Sequence, residues 1–516
     1  MFYKPEKGGI WDPSVLYFKG KYYALCMYFR PESEKWDGMW AAESEDGVHW
    51  KDVGCVLTAE HDVYKMFAYI CGDKCLINYG SSRTIPGKDN DTLYFCESED
   101  MRTWTEFLEN HPDSRWYKAS GRWDHMYVTP KDDGAGYWGY VVATPLPEYH
   151  SAWGLLESPD GYCWEILPPP VIEWGKLPEI GMLEGGGCEK IGDSYYYIGG
   201  AGGYARNGGY GLYTFRSASP TGPFYPDETA FRLCGFDRLP GRVFTQNLAA
   251  FCRGENGELL VSNAFDAGGT GNVWLLPMRS VVVDEEGHLH LGYWEKNDQA
   301  KGRPLPLENC YNTLIAERPG RRGTGEGGRL EVRSRTELLI ASDRDHPGFA
   351  LTDAYTLAVQ TAEYDLEQGI LAQGNFTAAI SPAGMGENAW PDCWRNAAVG
   401  LYIEYEGRAS GLAFLLELGH PYHRTSTVET LTLEALTVHN EVLDVTGEGC
   451  ATLRGVDAGA LHGFKLFVRG VMAELYVDGL LVQSFPLLDK ASGRVGFVAR
   501  NAECLWEELE VYQLDV

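Results

Sequence analysis

The chain of 516 residues carries 44 Lys+Arg against 73 Asp+Glu, a formal charge of −29, with 44% hydrophobic and 13% aromatic residues. Its length exceeds what one hydrophobic core supports, so two domains or three are expected. The negative charge repels phosphate backbones and anionic membranes, which sets aside nucleic acid and membrane partners and leaves neutral carbohydrates open.

The opening MFYKPEKGGIWDPSV has no basic region followed by an apolar core. A run of about 18 apolar residues occurs nowhere in the chain. A cytoplasmic chain with neither leader nor span is therefore expected. The 13 cysteines are scattered; Cys71 and Cys75 lie close, but no second pair completes a metal site. Reduced thiols are expected, with no metal and no other cofactor.

In chain order, the strand-like run KYYALCMYF leads into ESEDGVHW at Glu43 to Trp50. The octet returns as ESEDMRTW at Glu97 to Trp104 and as ESPDGYCW at Glu157 to Trp164. A weaker copy, RSASPTGPF, runs from Arg216 to Phe224, so the starts are 54, 60 and about 60 residues apart. Each copy places a polar Asp-containing turn after one strand and a Trp at the opening of the next, which is hairpin chemistry. Between copies come CLINYG, YWGYVVAT, SYYYIGG and LLVSNAF, with no convincing amphipathic helix. Four short strands per repeat predict propeller blades. Units closing near Trp50, Trp104, Trp164 and Phe224, with one more at about 240–296, make five. GGAGGYARNGG (199–209) lacks the features of a phosphate loop and reads as a loop over the channel mouth.

After residue 300 the octet disappears. Residues 301–330 carry Gly and Arg clusters and read as a linker. Residues 331–516 alternate apolar and polar positions between Gly and Asp-Gly turns, which predicts an antiparallel β-sandwich. The expected architecture is all-β: a five-bladed β-propeller over 1–300, then the sandwich.

In a propeller the first strand of each blade lines the central channel, so acids near blade starts converge. Asp12 in GGIWDPSVLY, Asp124 in SGRWDHMYV and Glu184 in GMLEGGGCEKI meet that condition. Acids in such apolar or glycine-rich strands cost desolvation unless they have a partner or a use. Two carboxylates flanking a glycosidic bond, one protonated and one attacking carbon or activating water, can hydrolyse it. The pattern points to Asp12 as nucleophile, Glu184 as acid/base and Asp124 as transition-state stabiliser. Glycines 185–187 are expected to leave room for a sugar. Glu189 is a competing acid.

The same residues resemble glycoside hydrolase family 32, the β-fructofuranosidases, along nearly the whole chain. Trp11-Asp12-Pro13-Ser14 looks like that family's N-D-P-N-G nucleophile motif, and Arg122-Trp123-Asp124 like its R-D-P with one residue inserted. Leu183-Glu184-Gly185 stands where the family has E-C-P. VWLLPMRSVVVDEEGHLHLGYW and LFVRGVMAELYVDGLLVQSFPL resemble its last blade and its C-terminal sandwich. The resemblance implies an exo-acting furanosidase that releases terminal β-fructofuranosyl units with retention.

The flanking Asn residues, and the Cys and Pro of E-C-P, are missing here. Asp12-Pro13-Ser14-Val15 and Glu184-Gly185 look equally like family 43, which would imply an inverting arabinofuranosidase or xylosidase with Asp12 as base. A carboxylate separation of about 5 Å against about 6.5 Å or more divides the two outcomes. A non-catalytic carbohydrate-binding propeller is the third reading.

Around the trio, Trp11, Trp40 and Trp123 are candidates for a wall against the sugar or for packing between blades. Arg122 can hold a hydroxyl or orient Asp124 through its rigid donor fork. Asp62, placed in the first strand of blade two, and His125, Gln246 and Asn247 are further candidates for sugar contact. An oligosaccharide or small glycoside is the expected partner, and self-association into a homo-oligomer stays open.

Overall fold

A computed structural model describes residues 1–60, 62–81, 92–202, 209–236, 239, 244–268, 272–309, 311–317, 328–342, 354–380, 397–407, 409–418, 425–434, 437–447, 449–451 and 456–516. The chain divides into two compact units, Met1–Asp298 with the final Val516, and Gln299–Asp515.

The first unit is a five-bladed propeller. Blade one is β1 (Gly9–Phe18), β2 (Lys21–Arg30), β3 (Lys35–Ser44) and β4 (Lys51–Thr58). Blade two is β5 (Met66–Cys71), β6 (Lys74–Ser81), β7 (Thr92–Ser98) and β8 (Thr105–Asn110). Blade three is β9 (Trp123–Pro130), β10 (Tyr137–Ala143), β11 (Gly154–Ser158) and β12 (Glu165–Leu167). Blade four comprises β13 (Glu184–Ile191), β14 (Ser194–Gly202), β15 (Tyr210–Ser217) and, both paired with β15, β16 (Tyr225–Pro226) and β17 (Arg232–Gly235). Blade five comprises β18 (Thr245–Arg253), β19 (Leu259–Asp266), β20 (Val273–Leu275), β21 (Arg279–Val283) and β22 (Leu289–Tyr293).

The innermost strands form a closed ring in which β1 adjoins β5, β5 adjoins β9, β9 adjoins β13, β13 adjoins β18 and β18 adjoins β1. The N-terminus helps to close it: Tyr3 exchanges two backbone hydrogen bonds with Leu275, at 3.0 and 2.8 Å.

The octet is a rigid turn between the third and fourth strands of a blade. In blade three, Gly161 N donates to Ser158 Oγ at 2.8 Å, and Tyr162 N and Cys163 N both donate to Asp160 Oδ1 at 2.8 Å. Blades one and two repeat this pattern with Ser44–Asp46 and Ser98–Asp100. The weaker copy keeps Ser217 as acceptor from Ser219 N but has no Asp. Each octet Trp thus precedes the last strand, so a blade closes three to eight residues beyond it, at Thr58, Asn110 and Leu167.

The core lies between blades: Leu25, Met39 and Ala41 pack with Ile77 and Tyr94, Phe95 with Trp123 and Val141, and Tyr140 with Tyr197 and Phe215. Removing these apolar faces from water, at about 25 cal/mol per Å², stabilises the stacking of each blade on the next.

The second unit is a sandwich of two mostly antiparallel sheets. Its strands are β23 (Lys301–Pro304), β24 (Tyr311–Glu317), β25 (Gly328–Val332), β26 (Leu338–Ser342), β27 (Ala354–Gln360), β28 (Ile370–Ile380), β29 (Ala397–Tyr405) and β30 (Ser410–Leu418). They continue with β31 (Ser426–Glu434), β32 (Thr437–Thr446), β33 (Leu461–Arg469), β34 (Met472–Val477), β35 (Leu480–Pro486), β36 (Ala491–Arg500) and β37 (Ala502–Leu514). One sheet runs β35-β34-β33-β28-β37-β26-β25 and the other β24-β27-β36-β29-β30-β31-β32. The faces meet where Trp506 of β37 packs on Phe497 of β36, ring centroids 4.8 Å apart.

Two sequence expectations change here. The stretch 301–330, read as a linker, contributes β23, β24 and the start of β25 to this unit. YNTLIAE supplies a run of backbone donors and acceptors that pairs fully with β27. Residues 199–202, read as part of a loop, are the end of β14, and 203–208 lie outside the described residues.

Candidate active site

Four of the five innermost strands carry a β-bulge near their start. The register slips between Trp11 and Ser14 in β1, opposite Trp123–Met126 in β9, between Gly185 and Gly187 in β13, and between Asn247 and Ala250 in β18. A bulge adds a residue and re-aims the side chains beside it. β5, in contrast, pairs with β6 without a slip. Because the innermost strands start at one rim of the channel, these bulges turn Asp12, Asp124 and Glu184 toward one place.

Asp12 sits in the β1 bulge with φ +48°, a left-handed conformation that Asp tolerates better than most side chains. It is 8% exposed, and its Oδ1 has no hydrogen-bond partner among the described residues. Burial pushes its carboxyl up to about 8; the charges of Glu184 and Asp124 add to the rise, and those of Lys65 and Arg122 oppose it.

Asp124 is 1% exposed in the β9 bulge. It accepts hydrogen bonds from Arg122 Nη2 at 2.6 Å and from the His125 backbone N at 2.7 Å. Burial raises its pKa, but His125 and Arg122 overcome this and hold the carboxyl well below its usual range. Two neighbours make room for it. A Cβ on Gly80 would lie 2.0 Å from Asp124 Oδ1. Asn78, fully buried on β6, satisfies both backbone groups of Met126 beside the bulge: Nδ2 donates to the carbonyl at 2.8 Å, and Oδ1 accepts from N at 2.7 Å.

Glu184 opens β13 with a quarter of its side chain exposed. Arg122 Nη1 donates to Oε1 at 2.8 Å, and Tyr210 Oη donates to Oε2 at 2.6 Å. One guanidinium therefore spans Asp124 and Glu184. The Tyr210 ring lies against Gly200, where a Cβ would come within 2.0 Å of the phenol oxygen. Burial and the Glu184 charge keep that phenol protonated, and so a donor.

Two functional candidates escaped the sequence reading. Tyr210 lay hidden in a glycine-rich stretch. Lys65, 1% exposed, immediately precedes β5, and its ammonium lies 4.8 Å from the Phe67 ring centroid. Burial pulls its pKa down, while Asp12, Glu184 and Asp124 pull it up. A lysine abutting the apolar run MFAYI at the start of an innermost strand was the available signal.

The remaining candidates divide. Arg122 and His125 join the cluster. Burial holds the His125 imidazole below its usual pKa, and its Nε2 lies 3.3 Å from the Gly185 carbonyl. Trp11 is partly buried against the core between blades one and two and packs edge-on to Trp36 at 6.3 Å. Gln246 is buried near the start of β18, and the Asn247 side chain lies outside the described set.

Three of the candidates for sugar contact lie elsewhere, Trp123 in the packing role between blades that was its alternative. Trp123 is fully buried between blades, bonded through Nε1 to Asn110 and packed on Tyr117, because it faces away from Arg122 and Asp124. Trp40 lies on the third strand of its blade, donating to Tyr3 Oη at 2.8 Å, with no contact to the carboxylates. Asp62 precedes β5 by four residues instead of lying in it, and its carbonyl accepts from Ser81 Oγ.

Glycines 185–187 also serve a different end. A Cβ on Gly186 would lie 1.9 Å from the Ala249 carbonyl oxygen, and one on Gly187 2.5 Å from the Tyr127 ring. They permit close packing of β13 on its neighbours, not sugar access. Glu189 is taken up by Tyr127 at 2.7 Å and by Arg253.

No protein-family model and no curated protein sequence matches the chain. Solved structures do match in fold. A Bombyx mori GH32 β-fructofuranosidase aligns over 99% of this chain and 93% of its own, with 14% identity and a TM-score of 0.60. A sucrose-6-phosphate hydrolase from Lactobacillus gasseri aligns over 98% and 92%, with 12% identity and a TM-score of 0.64. For an exo-inulinase from Aspergillus awamori the values are 99%, 97%, 12% and 0.60. The shared property is the architecture, a five-bladed propeller followed by a sandwich.

Proposed function

We propose that this chain is a glycoside hydrolase, and more narrowly an exo-acting furanosidase that releases terminal β-fructofuranosyl units with retention. Asp12 attacks the anomeric carbon, Glu184 protonates the leaving oxygen and then activates water, and Asp124 holds sugar hydroxyls and stabilises the transition state. The observation that carries this reading is the convergence of three carboxylates at one rim of the channel, two of them clamped by a single arginine.

Arg122 fixes Glu184 relative to Asp124, and Tyr210 fixes its other oxygen, so the acid is positioned before substrate arrives. Asp12 has an oxygen not committed to any donor among the described residues, as an attacking group requires. Fold likeness over both units, with sucrose bound in one such neighbour and 1-kestose in another, supports fructosides ahead of arabinofuranosides and xylosides. The test is Glu184→Gln on full-length protein: sucrose turnover should disappear while calorimetric sucrose binding persists. Unchanged turnover would remove Glu184 from the mechanism.

A further inference from the structure

Among the described residues the cluster leaves four buried polar atoms without a hydrogen-bond partner: Arg122 Nε, His125 Nδ1, and the acid–base pair Asp12 Oδ1 and Lys65 Nζ. The last two belong to neighbouring innermost strands or the residue just before one, at the same rim. Among the cations acting on Asp12, Lys65 is the strongest, and Asp12 is the strongest anion acting on Lys65. An ammonium that is 1% exposed and has no hydrogen-bond partner among the described residues is costly unless a ligand completes it. The ammonium is a donor only, and the ionised Asp12 carboxylate, the form in which it would attack, is an acceptor only; such a pair is suited to a hydroxyl, which accepts from one and donates to the other. An anionic group is a poor occupant, since Asp12, Asp124 and Glu184 outnumber Lys65 and Arg122. An apolar group would leave the ammonium unsatisfied.

We propose that Lys65 is a sugar-contact and specificity residue: its ammonium donates to a ring hydroxyl of the sugar bound beside Asp12, so the pocket selects rings that carry that hydroxyl. This rests on the glycoside reading of the site. A polar pocket group rejects an analogue lacking its hydroxyl far more strongly than an apolar wall does, because the buried group is then left unpaired.

The experiment compares full-length wild type, Lys65→Met and Lys65→Arg on sucrose and on its fructosyl-ring deoxy analogues, with melting curves to confirm folding. Wild type should lose roughly 100-fold or more in kcat/KM on one deoxy analogue. Lys65→Met should lose a similar factor on sucrose but nothing further on that analogue, and Lys65→Arg should recover part of the loss. Equal discrimination by wild type and Lys65→Met, or full activity of Lys65→Met on sucrose, overturns the proposal. If wild type hydrolyses nothing, the furanosidase reading fails, and calorimetry with sucrose, L-arabinose and D-xylose reads the Lys65 contact alone. Binding lost in Lys65→Met then supports the contact; equal binding, or none by wild type, overturns it.

Discussion

Arg122 Nη1 donates to Glu184 Oε1 at 2.8 Å across 62 residues of sequence, while its other terminal nitrogen holds Asp124. One planar fork thus sets the geometry between two acids from different blades. Arg122→Lys keeps the charge but not the fork. We expect kcat on an accepted glycoside to fall by about 10²-fold, as misplacement of a reacting group does. Arg122→Met, which strands a nearly inaccessible Asp124, should cost about 3 kcal/mol in urea unfolding.

The pH profile should report Asp12. Its carboxyl must be ionised to attack, and burial lifts its pKa to about 8. Activity should therefore rise with pH through that region and fall below it. Lys65→Met removes a charge that lowers this pKa, so the acidic limb should move to higher pH. Asp124→Asn removes a charge that raises it, so the limb of the remaining activity should move lower. Rates of kcat/KM across pH 5 to 10 check both signs; shifts in the same direction would contradict the assignment.

Gly186 tests the packing of the bulge. A methyl there meets the Ala249 backbone oxygen at 1.9 Å, and backbone cannot step aside as a side chain can. Gly186→Ala should destabilise by about 1–3 kcal/mol. It should also reduce turnover, since Glu184 lies two residues away on the same strand. Melting temperature and kcat should fall together.

Asn78 offers a milder probe. Asn78→Leu leaves both backbone groups of Met126 unpaired in a buried setting, at a cost of about 2 kcal/mol or more in chemical denaturation. Because Met126 is next to the β9 bulge, KM should rise through misplacement of Asp124. Wild-type stability in this variant would show that the pairing is dispensable.

The repeat was legible because its function is local: Ser158 and Asp160 cap their own turn, so residue types recur wherever that turn recurs. Asp12, Asp124 and Glu184 were findable as acids in strand contexts near blade starts. What could not be read was direction. Trp123 and Asp124 are adjacent in sequence and so face opposite ways, but which of them turns to Arg122 and which packs between blades depends on a register with a bulge that leaves no residue signature. Tyr210 reaches Glu184 across Gly200, the register partner of Glu184, and that pairing is a property of the folded blade. Glycines 185–187 looked like space for a ligand, whereas close approach of neighbouring strands is what requires them.

In the proposed function Asp12 and Glu184 together cleave a glycosidic bond. The most direct measurement is monosaccharide release by full-length wild type, Asp12→Asn and Glu184→Gln from fructosides, arabinofuranosides and xylosides. Fructose released by wild type alone, with both variants folded and inactive, is the predicted result. Release undiminished in Asp12→Asn, or no sugar released from any substrate by folded wild type, would contradict the account.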